Sequence, residues 1–206
     1  MKERPILFSA PMVRALLNGS KTQTRRVIKP QPTITEGGGL TWKNACYGIN
    51  TDGTPYTRAF IKHHSPYGQI GDQLWVKETW RTWASLDDVK PSLLENGIIR
   101  DYAAGGNSVG AGLVCDVSKK WRSPLFMQKR FSRITLEITG IRVERLNDCS
   151  EEDAIAEGVT FEPTHARHQE RMARIAYEKL WESINGAGSW AANPWVWVVE
   201  FKVVKP

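Results

Sequence analysis

Gly19 separates two periodicities and so decides where the first helix ends and the first long strand begins. Upstream, Pro11 to Asn18 reads as a short helix, with proline in its first turn and Met12, Val13, Leu16 and Leu17 forming an apolar stripe. Glycine then stands where a left-handed C-cap is needed. Downstream, Thr22, Thr24 and Val27-Ile28 suit a strand from Thr22 to Lys29, in which alternate side chains share a face. Thr24 and Arg26 therefore point the same way, and Lys21 joins them only if it belongs to the turn. The run Asn18-Gly19-Ser20-Lys21-Thr22-Gln23-Thr24-Arg25-Arg26 thus gathers amine, hydroxyl and guanidinium groups just past a helix end. Lysine and threonine are also ordinary residues of a solvated strand edge, so the pattern alone leaves both readings open.

Punctuation keeps the other elements short. Ile6 to Ser9 reads as a strand, and the Pro and Gly residues between Pro30 and Pro55 exclude a long regular element there. Gly71-Asp72 feeds a strand from Gln73 to Trp80, with Leu74, Val76 and Glu78 on one face. From Ala84 to Arg130 the pattern weakens, and Gly105-Gly106-Asn107, Gly110-x-Gly112 and Pro124 mark an insertion, read as a flexible lid or side excursion. It holds no glycine spacing of a phosphate cradle. Ile134, Leu136, Ile138, Ile141 and Val143 then alternate with polar residues around a bend at Gly140. A helix from Ala166 to Ser183 ends at Asn185-Gly186, and a last strand runs from Val196 to Val204. In that strand Trp195 and Trp197 share one face and Val196 and Val198 the other, so it should be covered on both sides. The expected class is α+β.

Ser150 to Gly158 reads as a two-turn helix: a serine N-cap, an acid three residues later, then Ala154 and Ile155, with glycine closing it. Glu151 and Glu152 fall in the first turn, where the helix dipole favours them. Glu157 falls at the other end, where the dipole disfavours an exposed carboxylate by ~0.3–1 kcal/mol. A cation such as Lys21 would offset that penalty, and a solvent-facing glutamate without a role is the plain alternative.

The 206 residues can bury one substantial core, and the expectation is a single domain over 1–206 with an irregular insertion at about 84–130. The net charge of +6 is focused at Lys21, Arg25, Arg26 and Lys29 and again between Lys119 and Arg133, a footprint shared by nucleic-acid binders and by solvated basic faces. Nine tryptophans supply flat surface for packing or for stacking on bases. Cys46, Cys115 and Cys149 are odd in number and widely spaced, which argues for a reducing compartment. His165 and His168 could share a helical face near Glu162, but no further ligand joins them at a recognised spacing, so no metal or other cofactor is expected. No apolar run spans a bilayer and no secretory pattern opens the chain, so no membrane partner is expected and the expected location is cytoplasmic.

The spacing Gly19-x-Lys21-x-x-Thr24-x-Arg26 resembles the signature of the ASCH domain, a small β-barrel related to the PUA fold of RNA-modifying proteins. Arg4-Pro5-Ile6-Leu7-Phe8-Ser9, the Gly71-Asp72-x-Leu74-Trp75-Val76 block and Trp195 to Phe201 are similar to blocks of ASCH proteins found in phages and prophages. The resemblance implies a PUA-like antiparallel β-barrel with flanking helices and an insertion. Many ASCH proteins carry glutamate where this chain has Thr24, whereas bacterial members that hydrolyse N4-acetylcytidine carry threonine. By that resemblance Lys21, Thr24 and Glu157 would be the catalytic residues, and Arg25 and Arg26 would bind substrate or nucleic acid.

The chemistry so implied removes an acyl group from the N4 amine of a cytidine-type nucleoside. Thr24 would attack as nucleophile and Lys21 would act as base, which requires its pKa to fall well below ~10.4. Arg25 and Arg26 would lower it and Glu157 would oppose them. A second route has Glu157 activating water while a charged Lys21 stabilises the oxyanion. The competing classes are a non-catalytic reader of RNA or a modified base, and a phage accessory factor whose partner is a protein.

Overall fold

The computed structural model describes residues 1–50, 57–99, 101–106, 117–160 and 172–205. In chain order the elements are β1 (Glu3–Leu7), α1 (Ala10–Leu17), β2 (Gln23–Val27), β3 (Thr33–Ile34), β4 (Leu40–Trp42), β5 (Ala45–Tyr47), α2 (Thr57–His64), β6 (Gln73–Lys77), β7 (Trp80–Arg81), β8 (Asp101–Tyr102), β9 (Thr135–Arg145), α3 (Glu151–Ala156), α4 (Met172–Asn185) and β10 (Trp195–Lys205). The class is α+β. The chain divides into two compact units, Met1–Gly19 with Gln73–Glu137 and Val203–Pro206, and Ser20–Asp72 with Ile138–Lys202.

In the first unit α1 packs Val13, Ala15 and Leu16 inward, with Pro11 in its first turn and Gly19 beyond its end at φ 79°. β1 pairs with β6 from Glu3↔Gln73 to Leu7↔Lys77, and β6 pairs antiparallel with the opening residues of β9. The β1–β6 pair is parallel, a departure from the all-antiparallel expectation. A parallel pair requires a long crossover, and local strand patterning carries no information about it. Ile6, Leu74, Val76, Ile134 and Leu136 are the buried residues of this ladder.

The stretch read as a flexible lid or side excursion packs, where described, its own apolar residues together. Short 3-10 turns at Ala84–Leu86, Pro91–Leu93, Pro124–Phe126 and Lys129–Phe131 and the β7–β8 pair bring Trp80, Leu94, Ile99, Tyr102, Met127 and Phe131 into one apolar cluster. Isolated turns impose no repeating apolar period, so the sequence pattern looked empty. Asn107, Gly110, Gly112 and Cys115 lie outside the described residues.

In the second unit the order is β9–β10–β2, with β2 antiparallel to β10 from Val27↔Val196 to Gln23↔Glu200. β10 is covered on both faces, as its alternation implied. Val196 and Val198 pack with Ala154, Tyr177, Trp181 and Trp190, while Trp195 and Trp197 pack with Ile28, Leu40, Phe60 and Val143. Trp197 stacks parallel on Phe60 with ring centroids 5.1 Å apart. The strands β3, β4 and β5 form a separate small sheet filling the Pro/Gly-rich stretch. Neither ladder closes on itself among the described residues. The start expected for the last long helix, Ala166, lies outside the described residues; α4 runs onward from Met172 as expected.

Each unit buries an acid. In the first, Glu78 is 1% exposed and accepts from Nε and Nη2 of Arg133, both at 2.9 Å. Removing one partner of such a pair strands a charge, whereas replacing both with apolar groups is often neutral. Arg133→Met is therefore expected to cost about 3–5 kcal/mol of unfolding free energy in urea melts. The double variant with Glu78→Met should recover most of that loss.

Candidate functional site at the start of strand β2

The residues just before β2 are held by main-chain bonds on two sides. Thr22 N–H donates to the Ala156 carbonyl at 2.8 Å, and Phe201 N–H donates to the Thr22 carbonyl at 2.8 Å. Lys21 and Glu157 form an isolated antiparallel bridge. α3 is set by the expected capping box, in which Ser150 Oγ accepts from Asp153 N–H and the Asp153 carboxylate accepts from Ser150 N–H. Glu157 is its C-cap, and Gly158 at φ 78° turns the chain away. That left-handed residue ends the helix where Glu157 presents both its carbonyl and its carboxylate to Lys21.

Lys21 is 2% exposed and Glu157 4% exposed. Lys21 Nζ donates to the Glu157 carbonyl at 2.8 Å and to its Oε2 at 2.9 Å. The other carboxylate oxygen, Oε1, accepts from Arg25 Nη1 at 3.2 Å. Arg25, 1% exposed, also donates from Nε and Nη2 to Glu144 Oε1 at 3.0 and 2.6 Å and pairs with Asp153 Oδ2 at 2.8 Å. Gln23 Nε2 donates to Asp153 at its carbonyl, 2.8 Å, and at Oδ1, 3.0 Å. Lys21, Gln23 and Arg25 thus follow the alternation of an extended chain, all directed at α3 and its C-cap.

Thr24 falls on the opposite side of that alternation, with Arg26, as expected from the spacing. The expectation that Lys21 might join Thr24 from the turn is replaced by its place in the Gln23–Arg25 series. Thr24 is fully buried, and among the described residues its Oγ1 has no hydrogen-bond partner. A buried unpaired hydroxyl costs about 1–3 kcal/mol, and Thr24 shares that state among the described residues with the hydroxyls of Thr41, Ser65 and Ser189. Arg26, half-buried, donates from Nη1 to the Arg25 carbonyl at 3.2 Å. Of the five candidates, therefore, Lys21, Arg25 and Glu157 meet directly, while Thr24 and Arg26 share the reverse face of the strand.

Burial lowers the Lys21 pKa from its ordinary value; the charge and hydrogen bond of Glu157 pull it back, and Arg26 and Arg25 push it down further, leaving it below 10.5. Burial pushes the Cys149 thiol up to about 12, so it is not a nucleophile at neutral pH. Burial also raises the Asp153 carboxyl, but the Gln23 hydrogen bond and the charges of Arg25 and Arg142 outweigh it and hold the group below 3.8.

Gln23, Arg142, Glu144, Asp153 and Tyr177 were not singled out from the sequence. Arg142 donates to Glu144 Oε2 at 2.8 Å and to Asp153 Oδ1 at 2.6 Å, and it also pairs with Glu200. The available signal was the alternation in β9, where Arg142 and Glu144 occupy the face opposite Ile141 and Val143. Asp153 had been accounted for as a helix cap. Among the described residues no cluster of three or more His, Cys, Asp or Glu side chains is placed to hold a metal, and His165, His168 and Glu162 lie outside them. No described helix is long and apolar enough to cross a membrane.

No family model and no curated protein matches this chain. Among solved structures it is similar to the crystal structure of an ASCH domain from Lactobacillus crispatus JV V101, with 12% sequence identity and a TM-score of 0.42, over 100% of this chain and 81% of that one. A likeness of that size assigns the chain neither a family nor an activity.

The lowered Asp153 carboxyl makes acid stability a test of the network. Between its folded pKa and 3.8 the unfolded chain binds the extra proton, so stability is complete above 3.8 and falls with pH through the folded value. Asp153→Asn should be less stable at neutral pH and should show a shallower loss across that acid window in urea melts. An unchanged slope would remove Asp153 from the charge network.

Proposed function

We propose that the second unit is an amide hydrolase that removes an acyl group from the N4 amine of a cytidine-type nucleoside, with N4-acetylcytidine as its substrate. The observation that carries the reading is the buried, unpartnered hydroxyl of Thr24 three positions from a buried lysine bound to a buried glutamate. The choice of acyl-cytidine comes from the resemblance of Gly19-x-Lys21-x-x-Thr24-x-Arg26 to the ASCH signature with threonine at its variable position. A PUA-like barrel and a phage-type lineage belong to the same proposal.

In this reading Thr24 Oγ1 attacks the acyl carbon, its proton is relayed through a water to the neutral amine of Lys21 on the other side of the strand, and the C–N4 bond breaks as that proton moves on to the leaving amine. Water then cleaves the threonine ester, releasing the carboxylic acid and restoring the hydroxyl. Burial favours the neutral amine that this route requires. Glu157 fixes the amine through two acceptors, its carbonyl and Oε2, and a neutral amine retains the two N–H groups that those bonds use. The activated-water route instead keeps Lys21 charged against the developing oxyanion.

The competing reading, a non-catalytic reader of RNA or a modified base, needs Arg25 and Arg26 on the nucleic acid. Arg25 is instead enclosed by Glu144, Asp153 and Glu157, which leaves Arg26 for that role and weakens the case.

Purified protein incubated with N4-acetylcytidine should release cytidine, followed chromatographically. Lys21→Ala and Glu157→Ala should each lower the rate by about 10²-fold or more. The rate should rise with pH to a plateau reached below 10.5, since Lys21 must lose a proton to act as base. Thr24→Ser should retain turnover and Thr24→Val should lack it; a fully active valine variant would eliminate the covalent route. Absence of release from acetylcytidine and from longer acyl analogues would overturn the hydrolase reading.

A further inference from the structure

We infer that Arg25 is a positioning residue that allows Lys21 to work as a base, because it supplies the counter-charge of Glu157 at the oxygen that Lys21 does not use. The inference rests on the hydrolase reading above. It assigns Arg25 a place behind the reacting groups in place of the substrate or nucleic-acid contact expected from the sequence.

The two cations divide the carboxylate between them. Oε2 receives Lys21 Nζ at 2.9 Å and Oε1 receives Arg25 Nη1 at 3.2 Å. If Lys21 were the sole partner, loss of its proton would leave an uncompensated carboxylate in a buried site, and the lysine would be held charged. With Arg25 in place, Glu157 keeps a cationic partner at Oε1 whichever state Lys21 adopts.

Arg25 is itself unable to turn away. Its Nε and Nη2 are engaged by Glu144 and Asp153, its guanidinium lies 6.0 Å from the centre of the Tyr177 ring, and both of those carboxylates are held from behind by Arg142. The charged and titratable groups around Glu157 are Lys21, Arg25 and Arg26 from β2 and its approach, Arg142 and Glu144 from β9, Glu200 from β10, Asp153 and Cys149 at α3, and Tyr177 from α4. Burial pushes the Cys149 thiol up to about 12 and the Tyr177 hydroxyl well above its ordinary value, so both stay protonated at neutral pH. Burial is the largest cause of the downward displacement of Lys21; Glu157 at 2.9 Å opposes it, and the charges of Arg26 and Arg25 add to it.

The test reads Lys21 directly. Protein carrying isotope-labelled lysine is titrated by NMR at the side-chain carbon next to the amine, with the Lys21 signal assigned by Lys21→Arg. Arg25→Gln should raise the Lys21 midpoint by about one to three pH units, and Arg25→Lys should return it toward the native value. If Arg25→Gln does not fold, the double variant Arg25→Met with Glu144→Met exchanges an ion pair for apolar side chains and reads the same quantity without changing net charge. An unchanged or lowered midpoint in a folded variant overturns the inference. In the turnover assay the rising limb of kcat should move to higher pH with KM little altered, whereas a purely structural role would lower kcat equally at every pH. Should the native protein release no cytidine, the hydrolase reading fails while the NMR midpoint still decides the role of Arg25.

Discussion

A carboxylate taken out of water must be compensated at both oxygens, or the desolvation cost drives a proton onto it or opens the structure around it. Glu157 meets that condition with Lys21 on one oxygen and Arg25 on the other, and much of the second unit follows from supplying those two cations. Both come from one short stretch, so β2 must approach the end of α3 with a fixed face toward it. The guanidinium then needs more acceptors than Glu157 offers, which brings in Glu144 and Asp153, and those in turn bring in Arg142 and Gln23. The outcome is a polar layer beside the apolar cluster of Val196, Val198, Tyr177 and Trp190, satisfied by side chains from β2, β9 and α3.

Features set by local chemistry were readable before the structure. The proline-started helix ending at glycine, the Ser150–Asp153 capping box and the two-sided burial of the last strand each depend on residues a few positions apart. The partners of the site do not. Lys21 and Glu157 stand 136 positions apart and Arg25 and Glu144 stand 119 apart, and no periodicity within either segment encodes the meeting. The motif resemblance points to Lys21, Thr24 and Glu157 and is silent on Gln23, Glu144 and Asp153, which complete the network around the glutamate. The parallel pairing of β1 with β6 was hidden for the same reason, since register between distant strands is set by packing.

The first unit shows a different use of arginine. Arg133 pairs with the buried Glu78 and lies 4.1 Å from the centre of the Tyr102 ring, and Arg122 donates to the Val89 carbonyl at 3.0 Å and also to the Leu86 carbonyl. These long side chains tie together turns that have no ladder of their own. A segment with little regular structure can in this way be well packed, provided its carbonyls find donors and its scattered apolar residues meet at one point, here Trp80 and Phe131.

Glu157 grips Lys21 through its main-chain carbonyl as well as its carboxylate, and that duality separates inheritance of shape from inheritance of chemistry. A descendant that lost the acidic group would still have a peptide oxygen anchoring the ammonium, because the carbonyl belongs to whatever residue closes the helix. The main-chain bond from Thr22 N–H to the Ala156 carbonyl works in the same way, so the docking of this segment on the end of α3 is in part independent of side-chain identity.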